Sequence, residues 1–134
     1  MTIPIRYIIP VKTVSEANTR EHWAVKADRA KRQRLAAHLC TLAALCRAGW
    51  KYGGERVIIR LCRKSTKQLD GDNLQSSQKH VRDGIADALE VDDGDKRLSW
   101  RYRQSKCGGN MGPRTLRECG VTVRIDVLGA KEET

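Results

Sequence analysis

The chain lacks any apolar run long enough to cross a bilayer. Its longest apolar stretch, around residues 35–46, is interrupted and too short, which argues against a membrane-spanning protein. The start, Met1-Thr2-Ile3-Pro4-Ile5-Arg6, has no basic region leading into an apolar core and a small-residue cleavage site. No secretory signal is read there. Five cysteines (Cys40, Cys46, Cys62, Cys107 and Cys119) make an odd count and contain no C-x-x-C pair. Neither a zinc site nor a complete disulfide framework follows, and reduced thiols in a cytoplasm are the expectation. There is no internal repeat and no low-complexity segment. The 134 residues hold only three prolines, so one domain over 1–134 is expected. The glycine-rich stretch at 108–112 is not followed by Lys-Ser/Thr, so it is no phosphate-binding P-loop and no nucleotide cofactor is expected.

Acidic residues are scarce except in one stretch. The chain carries 26 Lys and Arg against 16 Asp and Glu, a net charge of +10. Residues 68–95 hold eight of the acids against only Lys79 and Arg82, a local net of −6 that leaves +16 on the rest. A basic body of this kind suits a polyanionic partner, although basic solvated surfaces also serve solubility alone. The acidic island repels itself and repels phosphate. A divalent cation relieves both, because hard cations prefer oxygen ligands and bridge carboxylate to phosphate.

Alternation of Ile3, Ile5, Tyr7 and Ile9 predicts a first strand, ended by Pro10. Asn18 and Glu21 read as a capping box opening a helix over 18–47. Leu35, Leu39, Leu42 and Cys46 follow helical spacing, with Ala36, Cys40 and Ala43 beside them. Gly49 and Gly53-Gly54 mark a turn before a strand over Val57–Arg63. A second helix is predicted over 73–90 with Asp72 as its cap. Strands over Leu98–Gln104 and Val121–Val127 follow. This is an α+β pattern, β-α-β-α-β-β, expected to form a small four-stranded sheet with two helices on one face.

On a wheel through the second helix, Asp72, Lys79 and Asp83 share one side, and Leu74, Val81, Ile85 and Ala88 share the other. Asp70 precedes Asp72 by two residues, so in an extended segment both carboxylates point the same way. Asp92 and Asp93 follow the helix, where the chain must fold back. A cation shared by Asp70, Asp72 and Asp93 offsets their repulsion, with Lys79 able to reach a phosphate oxygen; a solvated acidic patch is the alternative.

The pattern Asp70-Gly71-Asp72-Asn73-Leu74, then Lys79, Asp83 and Asp92-Asp93, resembles the RusA family of Holliday junction resolvases. The segment Ser15–Trp23 is similar to that family's Asn-plus-aromatic N-terminal element, and Arg82–Leu89 to phage and prophage members. The resemblance runs from about residue 3 to 127. It implies a RusA-like mixed sheet and a homodimeric, Mg2+-dependent endonuclease that nicks four-way junctions or related branched DNA symmetrically, with Mn2+ tolerated, in a bacterial host cytoplasm. It implies Asp70, Asp72 and Asp93 as metal ligands, with Asp92 able to replace Asp93 and Asp83 in support. Lys79 would stabilise charge on the transition state. In many members the lysine lies four residues after the second motif aspartate; here the gap is seven, placing it one helical turn further along.

Arg29, Lys31, Arg32, Arg34, Arg101 and Arg103 are candidate DNA-phosphate contacts. Arg101 and Arg103 alternate outward on a strand beside the proposed site. His22, His38 and His80 have no metal-ligand spacing, and Trp23, Trp50 and Trp100 are read as core or interface. The alternative to a nuclease is a non-catalytic DNA-binding or replication-accessory module whose acids serve fold or dimerisation.

Overall fold

The computed structural model describes residues 4–16, 20–106 and 120–128. Ile3, Asn18, Cys107, Cys119 and the glycine-rich stretch therefore lie outside the described residues. In chain order the elements are β1 (Ile5–Ile9), α1 (Trp23–Ala48), β2 (Val57–Ser65), α2 (Gly71–Ser77), α3 (Lys79–Leu89), β3 (Leu98–Lys106) and β4 (Val121–Val127). The strands form one mixed sheet in the order β1-β4-β2-β3. The β2–β3 pair is parallel and the other two pairs are antiparallel. The expected α+β architecture is thus present, with three helices in place of two.

Period-two alternation decides which face is covered. Ile5, Tyr7 and Ile9, then Val57, Ile59 and Leu61, then Val121, Val123 and Ile125 are all buried. They meet Ala37, Ala44, Leu45, Val81, Ile85 and Leu89 from the helices in a single core. Each large aliphatic side chain removed from water there contributes about 1.5–3 kcal/mol. The Tyr7 hydroxyl is 2.6 Å from Thr41 Oγ1, which satisfies both groups inside that core. Alternate strand residues face the other way, where no described helix lies.

The first helix departs from expectation at both its start and its face. It begins at Trp23, and His22 is its N-cap, its Nδ1 accepting from the Ala24 amide at 3.1 Å. Leu35, Leu39 and Leu42, the apolar stripe of the sequence, are 58%, 56% and 42% exposed. The buried face is instead Gln33, Ala37, Thr41, Ala44 and Leu45. The reason is close helix packing: α1 and α3 touch at Gly84, where a Cβ would stand 2.2 Å from the Arg34 carbonyl oxygen and 2.6 Å from Ala37 Cβ. Only small residues permit that approach, so the leucines are turned away.

The second predicted helix is two helices. Ser77 donates its hydroxyl to the Leu74 carbonyl at 2.6 Å, a local bond that competes with the helical ladder. The Gln78 amide bonds back only three residues, to Gln75 at 3.1 Å, and its side chain turns into the interior. A new helix starts at Lys79 and is capped after Leu89 by Glu90, a non-glycine residue at φ 60°. An L-residue is strained there. Glu90→Gly is expected to raise stability by about 0.5–1 kcal/mol, read as a higher thermal midpoint. Among the described residues no helix is long and apolar enough to cross a membrane.

Candidate functional site

The acidic island surrounds one rim of the sheet, because β3 is an edge strand and α2 and α3 lie between β2 and β3 in the chain. Trp100, Tyr102 and Gln104 alternate onto the same face of β3 and act as three anchors. The Gln104 amide brackets Leu69, accepting from its N–H at 2.8 Å and donating to its carbonyl at 2.6 Å. That contact fixes the residue before Asp70. At the other end, the Trp100 indole donates to the Asp93 carbonyl at 2.9 Å. Between them Tyr102 Oη receives a hydrogen bond from Arg82 at 2.7 Å.

Arg82 is the centre of this arrangement. Its guanidinium lies over the Trp100 ring, 5.0 Å from the centroid, and also donates to the Asp93 carbonyl at 3.2 Å. Its Nε stands 3.1 Å from Asp93 Oδ2. That Nε–H is buried and makes no aligned hydrogen bond, so the carboxylate is neighboured by charge and keeps lone pairs open. Arg82, Asp93 and Tyr102 line a cleft of about 310 Å³ together with Gln75, Ser76 and Lys79.

The connector ahead of Asp70 is held from below. Arg63 is buried, and its guanidinium donates to Thr13 Oγ1 at 3.0 Å, the Thr13 carbonyl at 3.1 Å and the Lys67 carbonyl at 2.8 Å. None of these partners is a carboxylate, and burial lowers the Arg63 pKa. Gln78 also donates to Thr13, at 3.3 Å, and Ser15 donates to Asn73 Oδ1 at 2.8 Å. Residues 11–16 thus tie β2 to α2. Glu16 continues the tie to α1 through Arg29, whose guanidinium holds the Glu16 carboxyl below the usual carboxylate range. His80, 3.9 Å from Glu16, has its pKa lowered by burial.

The predicted residues distribute as follows. Asp70 is the exposed N-cap of α2, and Asp72 is already in its first turn. The strand-like reading that aimed both carboxylates the same way does not apply, because the helix begins between them and residues two apart on a helix do not face each other. Lys79 is exposed as the first residue of α3, beyond a helix break; one continuous wheel therefore does not relate it to Asp72. Asp83 is half-buried on α3, and Asp92 is exposed, accepting from the Gly94 amide at 3.2 Å. Among the described residues no three His, Cys, Asp or Glu side chains gather closely enough to hold one ion. The shared clasp of Asp70, Asp72 and Asp93 is not formed in this conformation. The donor chemistry still suits Mg2+, which takes one or two carboxylates and fills its shell with water and phosphate oxygens.

The helix bases fare differently from one another. Arg29 is bound by Glu16 at 2.9 Å and Glu21 at 2.7 Å, and Arg34 by Asp87 at 2.6 Å. Arg32 pairs with Asp28 on its own helix. These three are paired with acids of the chain, whereas Lys31, Arg101 and Arg103 are exposed and have no acid partner among the described ion pairs. Arg82, Tyr102 and Gln104 were not singled out from the sequence. The signal available was the i, i+2, i+4 row Trp100-Tyr102-Gln104 beside the acidic island. No protein-family model matches the chain, and comparison with curated proteins finds no relative.

Proposed function

We propose that the chain is a divalent-metal-dependent endonuclease acting on branched DNA as a homodimer. The observation that carries this reading is the cleft on the β3 rim, where Gln75 and Ser76 of α2 meet Lys79, Arg82, Asp93 and Tyr102, with Asp70 and Asp72 at the start of the same α2. It combines one carboxylate and neutral oxygen donors with two cations in one concave site, a composition suited to holding a phosphodiester. Asp93 in the cleft and Asp70 and Asp72 at the start of α2 are the residues that would hold Mg2+. When bound, the ion supplies a more acidic water and polarises the phosphate. Lys79 offers a mobile ammonium to the non-bridging oxygens, where charge builds in the transition state. Arg82 keeps Asp93 on the rim through its carbonyl and carboxylate.

A second reading, a non-catalytic DNA-binding module, is favoured by the separation of the carboxylates and by the Arg82–Asp93 pair. Incubation with a synthetic four-way junction separates the two. The nuclease reading expects paired nicks in Mg2+ and none in EDTA. Uncut junction in Mg2+ and in Mn2+, with binding retained, would establish the second.

A further inference from the structure

The face of the sheet turned away from the helices carries a row of like charges that strand register alone creates. Arg6 on β1 is paired with Arg124 on β4, Arg124 with Arg60 on β2, and Arg60 with Arg101 on β3. Directly paired residues share a face, so four arginines cross the whole sheet in one line. At about 4.8 Å per strand the line spans about 14 Å. Arg103 stands in the next paired position along β3 and Lys64 beyond it on β2.

Like charges directly opposite one another destabilise a sheet, and here three successive pairs do so. Asp126 is the one acid within the four strands. It bridges Arg60 and Arg124, leaving their side chains 40% and 43% exposed. Arg6, Arg101 and Arg103 are exposed without an acid partner among the described ion pairs. No Trp, Tyr or Phe of the four strands points to this side, since Tyr7, Trp100 and Tyr102 all face the helices.

We infer that this open face is a docking surface for the phosphate backbone of duplex DNA. The row matches the scale of a duplex groove, about 12 Å across the major groove. Guanidinium groups pair with phosphate oxygens in fork geometry, and bound phosphate removes the repulsion within the row. With no aromatic ring to stack on bases, the surface reads backbone and carries no sequence preference. Arg101 and Arg103 sit on the outer side of the strand whose inner side anchors the cleft. A duplex seated on this face therefore reaches the sheet's rim where that cleft opens. The inference deepens the proposed function by naming where DNA is held, but it is measured without cleavage.

The test is fluorescence anisotropy of a labelled 20-base-pair duplex with the full chain in EDTA, over a series of NaCl concentrations. The double variant Arg101→Gln/Arg103→Gln is expected to bind at least about tenfold more weakly, with the salt slope reduced by about two. Asp126→Asn is expected to bind severalfold more tightly. Lys26→Gln/Arg47→Gln, the same charge change on α1 at residues given no part in binding, is expected to shift affinity less than about twofold. Unchanged binding by the sheet variant, or an equal loss in the α1 variant, overturns the inference. So does a change in sedimentation with duplex affinity unchanged, which would make the face a contact between copies. Circular dichroism melts confirm that each variant is folded. Because EDTA prevents cleavage, a failure here leaves the nuclease reading standing, and absence of cleavage leaves this one standing.

Discussion

Asp72→Asn is expected to lower Mg2+-dependent cleavage of a four-way junction by at least about 100-fold while leaving the thermal midpoint unchanged. Asp72 is exposed in the first turn of α2, and none of the hydrogen bonds or ion pairs described above gives it a part in the fold. Asparagine keeps the size and one acceptor oxygen but loses the charge that a hard cation requires. The loss should therefore appear in turnover, on the scale that removal of a single electrostatic stabiliser produces in hydrolytic sites. Lys79→Ala is the companion: turnover falls more than junction binding, because its ammonium is assigned to the developing charge. Full cleavage by Asp72→Asn, under conditions in which the unsubstituted chain cuts, would remove Asp72 from the proposed metal ligands.

Gly84→Ala is expected to destabilise the fold by about 3 kcal/mol, a fall of roughly 10 °C in the thermal midpoint. The added methyl would stand 2.2 Å from a carbonyl oxygen of α1, 2.6 Å from Ala37 Cβ and 3.0 Å from the His38 nitrogen. Two of those three atoms are backbone, which cannot swing aside as a side chain can. Relief requires α1 and α3 to separate, and that opens a gap along Ala37 and Ile85 in the core. A melt within 2 °C of the unsubstituted chain would show that the helices are not seated this tightly. The effect should be smaller for Gly71→Ala, where no atom lies within 4 Å of the added carbon.

Much of the strand content was legible because half-buried strands write their burial into alternate residues. Ile5-Tyr7-Ile9 and Val121-Val123-Ile125 have this pattern, and all six side chains are buried. The helices were read less well, since periodicity reports an apolar stripe without saying what covers it. Leu35, Leu39 and Leu42 are at helical spacing and exposed, while the α1 surface that meets α3 and the sheet is built from Ala37, Thr41 and Ala44. A small-residue seam is a weak signal in one sequence, and here Gly84 is its counterpart on α3.

The break at Gln78 was hidden for a different reason. Its cause is a hydroxyl that bonds to its own helix and a glutamine that bonds to Thr13, 65 residues away. Neither has a local sequence signature, yet together they decide where Lys79 points. Of the residues lining the cleft, the sequence pattern singled out Lys79 and Asp93, whereas Arg82 and Tyr102, and the Gln104 that braces Leu69, carry no such signal. Those roles follow only once β3 lies beside α2 and α3. The arginine row likewise needs the pairing register, which no single strand reveals.

The nine-residue β3 has a second consequence. It is a long edge strand, and among the described residues its outer backbone N–H and C=O groups have no neighbouring strand. Such an edge invites another chain to add on and continue the sheet into an aggregate. Arg101, Arg103 and Lys106 place three positive charges along it, so two copies approaching rim to rim repel each other before their backbones can pair. Neutralising that rim would cost the protein its colloidal protection as well as the phosphate contact proposed above.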